Sequence, residues 1–188
     1  MRPNKTLQLT PSRDALLLYE RFVIPLSVLQ PQPVIGAAEL GVRHIMTILE
    51  MTPAHYDAVI ELLHRIPGIG MRDADSREGI MRYLQRNPGL SFVAFDNSML
   101  IGCAMCGHDG RRGYLQHVAV DHAFRGNGIA HELVSSCLNE LKRIGIFKVH
   151  IDVFKTNDLA NSYWSKRGWK LREDIYRYSL VLSDSNNA

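Results

Sequence analysis

Hydrophobic residues recur along the chain with two spacings, and these spacings predict its helices and strands. After Thr52-Pro53, apolar side chains recur every three or four positions until Pro67-Gly68. This pattern predicts an amphipathic helix, because threonine suits an N-cap, proline suits a first turn and Pro-Gly ends a helix. The same spacing predicts helices that begin at residues 73–76, 128 and 158 and end near residues 87, 144 and 167.

Short apolar runs bounded by turn residues predict strands around these helices. The predicted strands are 46–51, 90–95, 99–107, 114–120, 147–154, 169–171 and 176–182. The last two form a closing hairpin. Helices therefore lie among strands in the order β-α-α-β-β-β-α-β-α-β-β, and we expect one domain of the α/β (α+β) class.

The first 45 residues differ from the rest of the chain. They carry five prolines and show no sustained hydrophobic period. We therefore expect residues 1–45 to be an N-terminal extension, either poorly ordered or not native to the domain. The domain itself is predicted to span residues 46–183, and residues 184–188 form a C-terminal tail.

Composition narrows the class of protein. The net charge of +3 is mild and no basic stripe occurs, which argues against a nucleic-acid partner. No apolar run approaches the roughly 20 residues of a membrane span. Three cysteines cannot all pair within one chain, which favours a reducing, cytoplasmic setting. Cys103 and Cys106 have zinc-like spacing, but they lie three apart in a predicted strand and should face opposite sides, so no metal is expected.

A strand that runs into a glycine turn and a helix carries the clearest functional signal. Val118, Ala119 and Val120 are strand-like, and Arg125-Gly-Asn-Gly128 precedes the helix. A helix N-terminus has unpaired N–H groups and a partial positive charge, so glycines there let the backbone close around a phosphate. Arg125 would add a full charge. Gly-Asn-Gly also makes ordinary loops, so the turn alone leaves both interpretations open.

Two motifs together resemble the GCN5-related N-acetyltransferase (GNAT) family. The first has the form Arg/Gln-x-x-Gly-x-Gly/Ala and stands here as Arg125-Gly-Asn-Gly-Ile-Ala130. The second has the form Asn-x-x-Ala-x-x-aromatic-aromatic-x-x-x-Gly-aromatic and stands here as Asn157 to Trp169. The resemblance covers about residues 46 to 182. It implies a GNAT fold with a central, mixed but mostly antiparallel sheet of about seven strands, helices on both faces, and a V-shaped splay between the fourth and fifth strands.

The resemblance also implies acetyl-CoA as co-substrate and a set of residues that bind it. Backbone groups freed by the splay would pair with the pantetheine arm, N–H groups of the glycine turn would hold the pyrophosphate, and Asn157 would approach from the far side or cap its helix. The full set is Val118, Ala119, Val120, Arg125, Gly126, Asn127, Gly128, Ile129, Ala130, Asn157, Ala160 and Trp164.

Catalytic residues are left unassigned, because the chain departs from the family at two places. Relatives usually carry a tyrosine acid where this chain has Trp164; Tyr163 is one residue earlier and is expected to be a core aromatic. Gln116 lies near the usual glutamate base. His117, His150 and Asp152 are alternative bases, although strand alternation predicts that His117 faces away from Gln116. The loop between the first two predicted helices and the last hairpin are expected to wall the acceptor site. Their acids Asp73, Asp75, Glu173 and Asp174 either bind an ammonium group there or are only solvated.

The function implied is an N-acetyltransferase. It would move an acetyl group from acetyl-CoA to a primary amine of a small molecule or peptide, by direct attack in a ternary complex. A catalytically silent acyl-CoA-binding or sensor module is the alternative, because the usual acid and base are missing. No metal, nucleic acid or membrane is expected as a partner, and a homodimer stays open.

Overall fold

Five strands and four helices occur in the part of the chain that the structure describes. The computed structural model describes residues 46–185 and Asn187. The strands are β1 (Met46–Glu50), β2 (Phe92–Asp96), β3 (Met99–His108), β4 (Gly113–Val120) and β5 (Val149–Ile151). The helices are α1 (Tyr56–Arg65), α2 (Arg77–Arg86), α3 (Ile129–Arg143) and α4 (Asp158–Lys166). The expected extension, residues 1–45, lies outside the described residues.

The strands form one mixed sheet in the order β1-β2-β3-β4-β5. The first three pairings are antiparallel, and β4 pairs with β5 in parallel. The mixed, mostly antiparallel sheet is therefore confirmed. None of the helices within residues 46–185 has the length and apolar character needed to cross a membrane.

The predicted count of seven strands is wrong for the described residues, which contain five. Residues 169–171 and 176–182 were expected to pair as a hairpin but have no strand pairing. The apolar side chains of the last predicted strand find no surface to cover: Tyr176, Tyr178 and Leu180 are 87%, 89% and 83% exposed. An alternating pattern stabilises a strand only where one face is buried.

Helices pack on both faces of the sheet, as expected. Side chains of α1 and α2 pack with one set of sheet residues, which includes Val93, Cys103 and Met105. Side chains of α3 pack with the other set, which includes Ala94, Ile101 and Cys106. Because β3 contributes to both clusters, it is buried along most of its length. Cys103 and Cys106 face opposite clusters, as their spacing predicted, and Cys137 of α3 is buried beside Cys106.

Strand β4 positions the functional site through two irregularities. It pairs with β5 only from Gly113 to Leu115, so the two strands separate beyond that point. On its other side, Cys103 pairs with Ala119 but Met105 pairs with Gln116, so β4 has one extra residue, a β-bulge. His117 lies in this bulge with φ of 45°, a left-handed conformation that is uncommon outside glycine.

Candidate functional site

The end of β4 leads into α3 through two short turns. Asp121 caps the first, a 3-10 turn over His122–Phe124, by accepting a hydrogen bond from the Ala123 N–H at 3.0 Å. Gly126 and Gly128 follow with φ of 85° and 80°, in the left-handed region where glycine is favoured. A Cβ at either glycine would meet no other atom within 4 Å, so both face open space.

The N-terminus of α3 is free to bind an anion. Its N-cap is Gly128, and no side chain from the described part of the chain caps the first turn. The first N–H groups of a helix have no partner within the helix, and the helix dipole makes this end positive. The Arg125 side chain is fixed beside it, because its Nε donates to the Val120 carbonyl oxygen at 3.1 Å.

A cavity of about 1050 Å³ opens where β4 and β5 separate. Its walls are the end of β4, the glycine turn with the start of α3, one side of α4, and the end of α1 with the loop that follows it. Eleven of the twelve residues predicted to bind the co-substrate line this cavity: Val118, Ala119, Val120, Arg125, Gly126, Gly128, Ile129, Ala130, Asn157, Ala160 and Trp164. Asn127 does not, and its side chain instead donates to the Phe124 carbonyl oxygen at 3.1 Å.

The loop after α1 forms one wall of this cavity, whereas the sequence predicted it as a wall of the acceptor site. Arg65 to Ile69 line the cavity together with Phe154. Gly68 has φ of 85°, and a Cβ there would lie 2.7 Å from Asn157 Nδ2. The loop therefore passes close to Asn157 across the cavity. Loops rich in glycine and proline carry function more often than the scaffold does, but that content does not say which partner the loop faces.

Asn157 caps its helix in this structure, which is one of the two roles expected for it. Its Oδ1 accepts a hydrogen bond from the Ala160 N–H at 3.0 Å and so caps α4. This bond points the Nδ2 group toward Gly68 and the cavity.

Trp164 lies in an aromatic cluster at the cavity wall. It is 7% exposed and makes edge contacts with Tyr163 and Trp169, with ring centroids 5.0 and 4.8 Å away. Tyr163 also lines the cavity, and burial raises the pKa of its phenol. Both aromatic residues therefore belong to the hydrophobic core and to the cavity wall at the same time.

Comparison with known proteins agrees with this arrangement. The sequence profile described as "Acetyltransferase (GNAT) family" matches residues 56–169. The chain belongs to the GNAT acetyltransferase family.

Relatives and solved structures support the assignment. An acetyltransferase of Pectobacterium atrosepticum is 34% identical over 129 residues, which are 69% of this chain and 91% of that protein. N-alpha-acetyltransferase 30 of Schizosaccharomyces pombe is 31% identical over 108 residues, 55% of this chain and 72% of that protein. The PaiA N-acetyltransferase of Thermoplasma acidophilum in complex with coenzyme A has a TM-score of 0.61 at 19% identity, covering 69% of this chain and 92% of that one.

The aminoglycoside N-acetyltransferase AAC(6')-Iy in complex with CoA has a TM-score of 0.59 at 21% identity. It covers 72% of this chain and 94% of that one. Both structural likenesses establish the GNAT fold.

Two of the candidate bases of this GNAT chain lie away from the large cavity. Asp152 is exposed and forms an ion pair with Arg177. His150 stacks against Tyr114 at 5.7 Å between ring centroids, in the part of β4 and β5 that stays paired. Burial, followed by the charge of Lys148, lowers the pKa of His150. Neither residue lines the cavity.

The third candidate, His117, does not lie where strand alternation predicted. Its Nε2 is 2.7 Å from Asp75 Oδ1, and Gln116 lines a second cavity together with Asp75. Gln116 and His117 therefore lie on the same side of the sheet, and the expectation of opposite faces is wrong. The extra residue of the β-bulge breaks the alternation on which that expectation depended.

Asp75 is the only one of the four acids proposed near the acceptor that lines either cavity described here. Asp73 accepts hydrogen bonds from Ser185 and Asn187 of the C-terminal tail. Asp174 pairs with Arg172 at 2.6 Å, which lowers the pKa of Asp174 to about 2. Glu173 is exposed.

The second cavity has a volume of about 440 Å³ and lies between α2 and the sheet. Its lining includes Asp75, Tyr83, Met105 and Gln116. The Tyr83 hydroxyl is buried without a hydrogen-bond partner among residues 46–185 and Asn187, and burial raises the pKa of this phenol. A buried hydroxyl without a partner is costly, and this one lies against the sheet, 2.7 Å from where a Cβ on Gly107 would stand.

Proposed function

We propose that the protein is an acetyl-CoA-dependent N-acetyltransferase that transfers the acetyl group directly to a primary amine. The observation that carries this proposal is the continuity of the large cavity. It joins the unpaired edge of β4 to the uncapped N-terminus of α3. An extended, amide-rich arm that is joined to a diphosphate needs both features in this order.

Each part of acetyl-CoA has a matching surface in the proposal. The pantetheine arm pairs with backbone groups of Val118 to Val120, as an added strand would. The diphosphate binds N–H groups from Gly126 to Ala130, with Arg125 beside them. Asn157, Ala160 and Trp164 line the opposite side of the arm. A backbone N–H near Val118 stabilises the oxyanion of the tetrahedral intermediate.

Direct transfer is favoured because no cysteine is suited to carry the acetyl group. Cys103, Cys106 and Cys137 are buried and line neither cavity. Burial raises the pKa of Cys103 to about 12, and the thiolate is the nucleophilic form. Buried free thiols also fit the reducing cytoplasm, where we propose that the protein acts.

The acceptor is proposed to be a primary amine on a small molecule or a peptide. One structural neighbour is described as an aminoglycoside N-acetyltransferase, and another, with a TM-score of 0.56, as the NatC complex bound to a Gag peptide and CoA. Among residues 46–185 and Asn187, no three His, Cys, Asp or Glu residues are grouped to hold a metal ion. The thioester is itself the activated group, so the transfer does not require one.

A silent acyl-CoA-binding or sensor module is the second candidate. It is favoured by Trp164, since an indole N–H does not protonate a thiolate as a tyrosine hydroxyl can. The two candidates share the large cavity and differ in turnover.

The experiment measures acetyl-CoA binding by calorimetry and thiol release with an aminoglycoside, a short peptide with a free α-amine, and lysine. We expect binding together with thiol release that at least one amine accelerates. Binding without acceleration by any amine would favour the sensor. Absence of binding would contradict both candidates.

A further inference from the structure

The large cavity has an apolar inner end. Of the residues of β4, all of which the structure describes, only Val118, Ala119 and Val120 line this cavity. On the β5 side of the splay, the lining begins at Phe154 and continues into α4. The loop after α1 contributes Ile69. We call Val118, Ile69 and Phe154 the inner end of the cavity, because the lining of β4 and of the β5 side starts there.

The register of β4 and β5 brings Phe154 level with the inner end. Leu115 pairs with Ile151 in parallel, and three residues further along each chain stand Val118 and Phe154. The bulge takes up one residue of β4, so Phe154 is level with Val118 and Ala119. Phe154 therefore stands on the opposite side of the splay from the last residues of β4 that line the cavity.

Phe154 is held by both its backbone and its ring. Its carbonyl oxygen accepts hydrogen bonds from the Asn157 N–H at 2.9 Å and from Asn161 Nδ2 at 3.0 Å. Its ring lies against the loop after α1, because a Cβ on Gly70 would stand 3.1 Å from the ring Cζ. Phe154 is 54% exposed, so much of its surface remains available to a ligand in the cavity.

The loop after α1 reaches the β5 side of the cavity at two glycines. Gly68 lies against Asn157, and Gly70 lies against Phe154. A side chain at either position would hold the loop farther away, which is why glycine suits such a close approach. Ile69 stands between these two contacts and lines the cavity, so the loop brings an apolar side chain next to the Phe154 ring.

We propose that Phe154 sets the length of the acyl group that the protein accepts, by closing the cavity beyond the acetyl methyl. The proposal rests on the proposed function, in which the diphosphate binds at the start of α3 and the pantetheine arm runs along β4 toward Val118. The thioester carbonyl then lies near Val118, and the acyl chain extends toward Ile69 and Phe154. An acetyl group ends at the ring, whereas each further methylene meets it.

The chemistry of the inner end suits an acyl methyl. Val118, Ile69 and Phe154 have no polar side-chain atoms, so a methyl group that contacts them leaves water without the loss of a hydrogen bond. A wall that is held in place also resists extra volume, because an added methylene forces side chains or backbone to move. Hydrophobic pockets separate ligands that differ by one methylene by about 10- to 200-fold.

The first test measures the affinities of acetyl-, propionyl- and butyryl-CoA by calorimetry. No acceptor is present, so the result does not depend on which amine the protein acetylates. Wild type should lose about 10-fold or more in affinity for each added methylene. Phe154→Ala should reduce the preference for acetyl-CoA over butyryl-CoA by about 10-fold or more, because the ring that meets the longer chain is gone.

Phe147→Ala is the matched control. Phe147 precedes β5, is 79% exposed and lines neither cavity. The control removes the same ring beside the same strand, and it should leave the ratio of the two affinities at the wild-type value. An equal change of this ratio in both variants would overturn the role of Phe154.

Phe154→Leu separates a steric limit from a general loosening of the site. Leucine fills part of the space of the ring, so this variant should gain affinity for propionyl-CoA and gain less for butyryl-CoA than Phe154→Ala does. The same order is expected in kcat/KM, measured with whichever amine of the panel is acetylated fastest. Unfolding curves for each variant show whether a change in affinity reflects a loss of fold.

Two results would place Phe154 elsewhere and overturn the inference. If Phe154→Ala weakened the binding of free CoA and of every thioester by one common factor, the ring would contact the arm and not the acyl group. If it raised KM for the amine and left the ratio of the thioesters unchanged, the ring would border the acceptor.

The wild-type protein distinguishes failure of this inference from failure of the proposed function. If it binds neither CoA nor any of the thioesters, the proposed function fails. If it binds acetyl-CoA and butyryl-CoA equally well, the proposed function stands and the limit on acyl length is overturned.

Discussion

The two cavities beside β4 are built from different parts of the chain. The large cavity is lined at its proposed binding surfaces by main-chain groups of β4 and of the glycine turn, which any small side chains leave accessible. The small cavity is lined by side chains with particular chemistry, among them Asp75, Tyr83 and Gln116. A main-chain surface keeps its hydrogen-bonding groups when side chains are substituted, whereas a side-chain surface changes its chemistry with each substitution.

Gly128→Glu should have the largest effect, and it alters only the large cavity. A carboxylate at the start of α3 would oppose the diphosphate, and like charges in contact cost several kcal/mol, on the order of 100-fold or more in affinity. Calorimetry with acetyl-CoA measures the loss.

Gly145→Glu is the matched control for that variant. Gly145 also has a left-handed backbone, with φ of 84°, and no atom lies within 4 Å of its added Cβ, but it ends α3 far along the chain from the turn. Gly145→Glu therefore introduces the same backbone strain and the same charge as Gly128→Glu. Equal losses of affinity in both variants would contradict the placement of the diphosphate.

Asn157→Ala should have an intermediate effect, because it removes the cap of α4 and a proposed contact with the co-substrate. We expect a loss of about 1 kcal/mol in the free energy of unfolding, together with weaker acetyl-CoA binding. Ser76→Ala is the control, since the Ser76 hydroxyl accepts from the Gly79 N–H and caps α2 outside the large cavity. If both variants bind acetyl-CoA equally well, Asn157 is only a helix cap.

The pH dependence of stability tests whether Asp75, which lines the small cavity, is ionised in the folded protein. The pKa of Asp75 is lower in the folded protein than in the unfolded chain. Its stabilising contribution is therefore complete above the unfolded pKa of about 3.9 and is lost as the pH falls through the folded pKa. The free-energy difference between wild type and Asp75→Asn, measured by urea unfolding, should shrink as the pH falls from about 5 to 2. A difference that stays constant would argue against an ionised Asp75.

Trp164→Tyr should have the smallest effect, because a smaller aromatic ring still packs against Tyr163 and Trp169. We expect a loss of stability of about 1 kcal/mol and nearly unchanged acetyl-CoA binding. Turnover is the informative quantity. An increase would mean that a hydroxyl at this place protonates the leaving thiolate, which the indole of wild type does not do.

Local sequence patterns predicted the walls of the large cavity well and those of the small cavity poorly. The strand, glycine turn and helix around Arg125 to Ala130 are contiguous, so their geometry follows from nearby residues. Asp75 and His117 are 42 residues apart, and their contact depends on a bulge that only the pairing of β3 with β4 reveals. The closing hairpin was predicted from short apolar runs, and such runs cannot show whether a surface exists for the strands to cover.

The aromatic cluster of α4 also provides a built-in optical reporter. Both tryptophans of the chain, Trp164 and Trp169, belong to it, and Trp164 lines the large cavity. All tryptophan emission from this protein therefore comes from that cluster. A titration followed by intrinsic fluorescence would read occupancy of the cavity directly, in the unlabelled chain and before any acceptor is known.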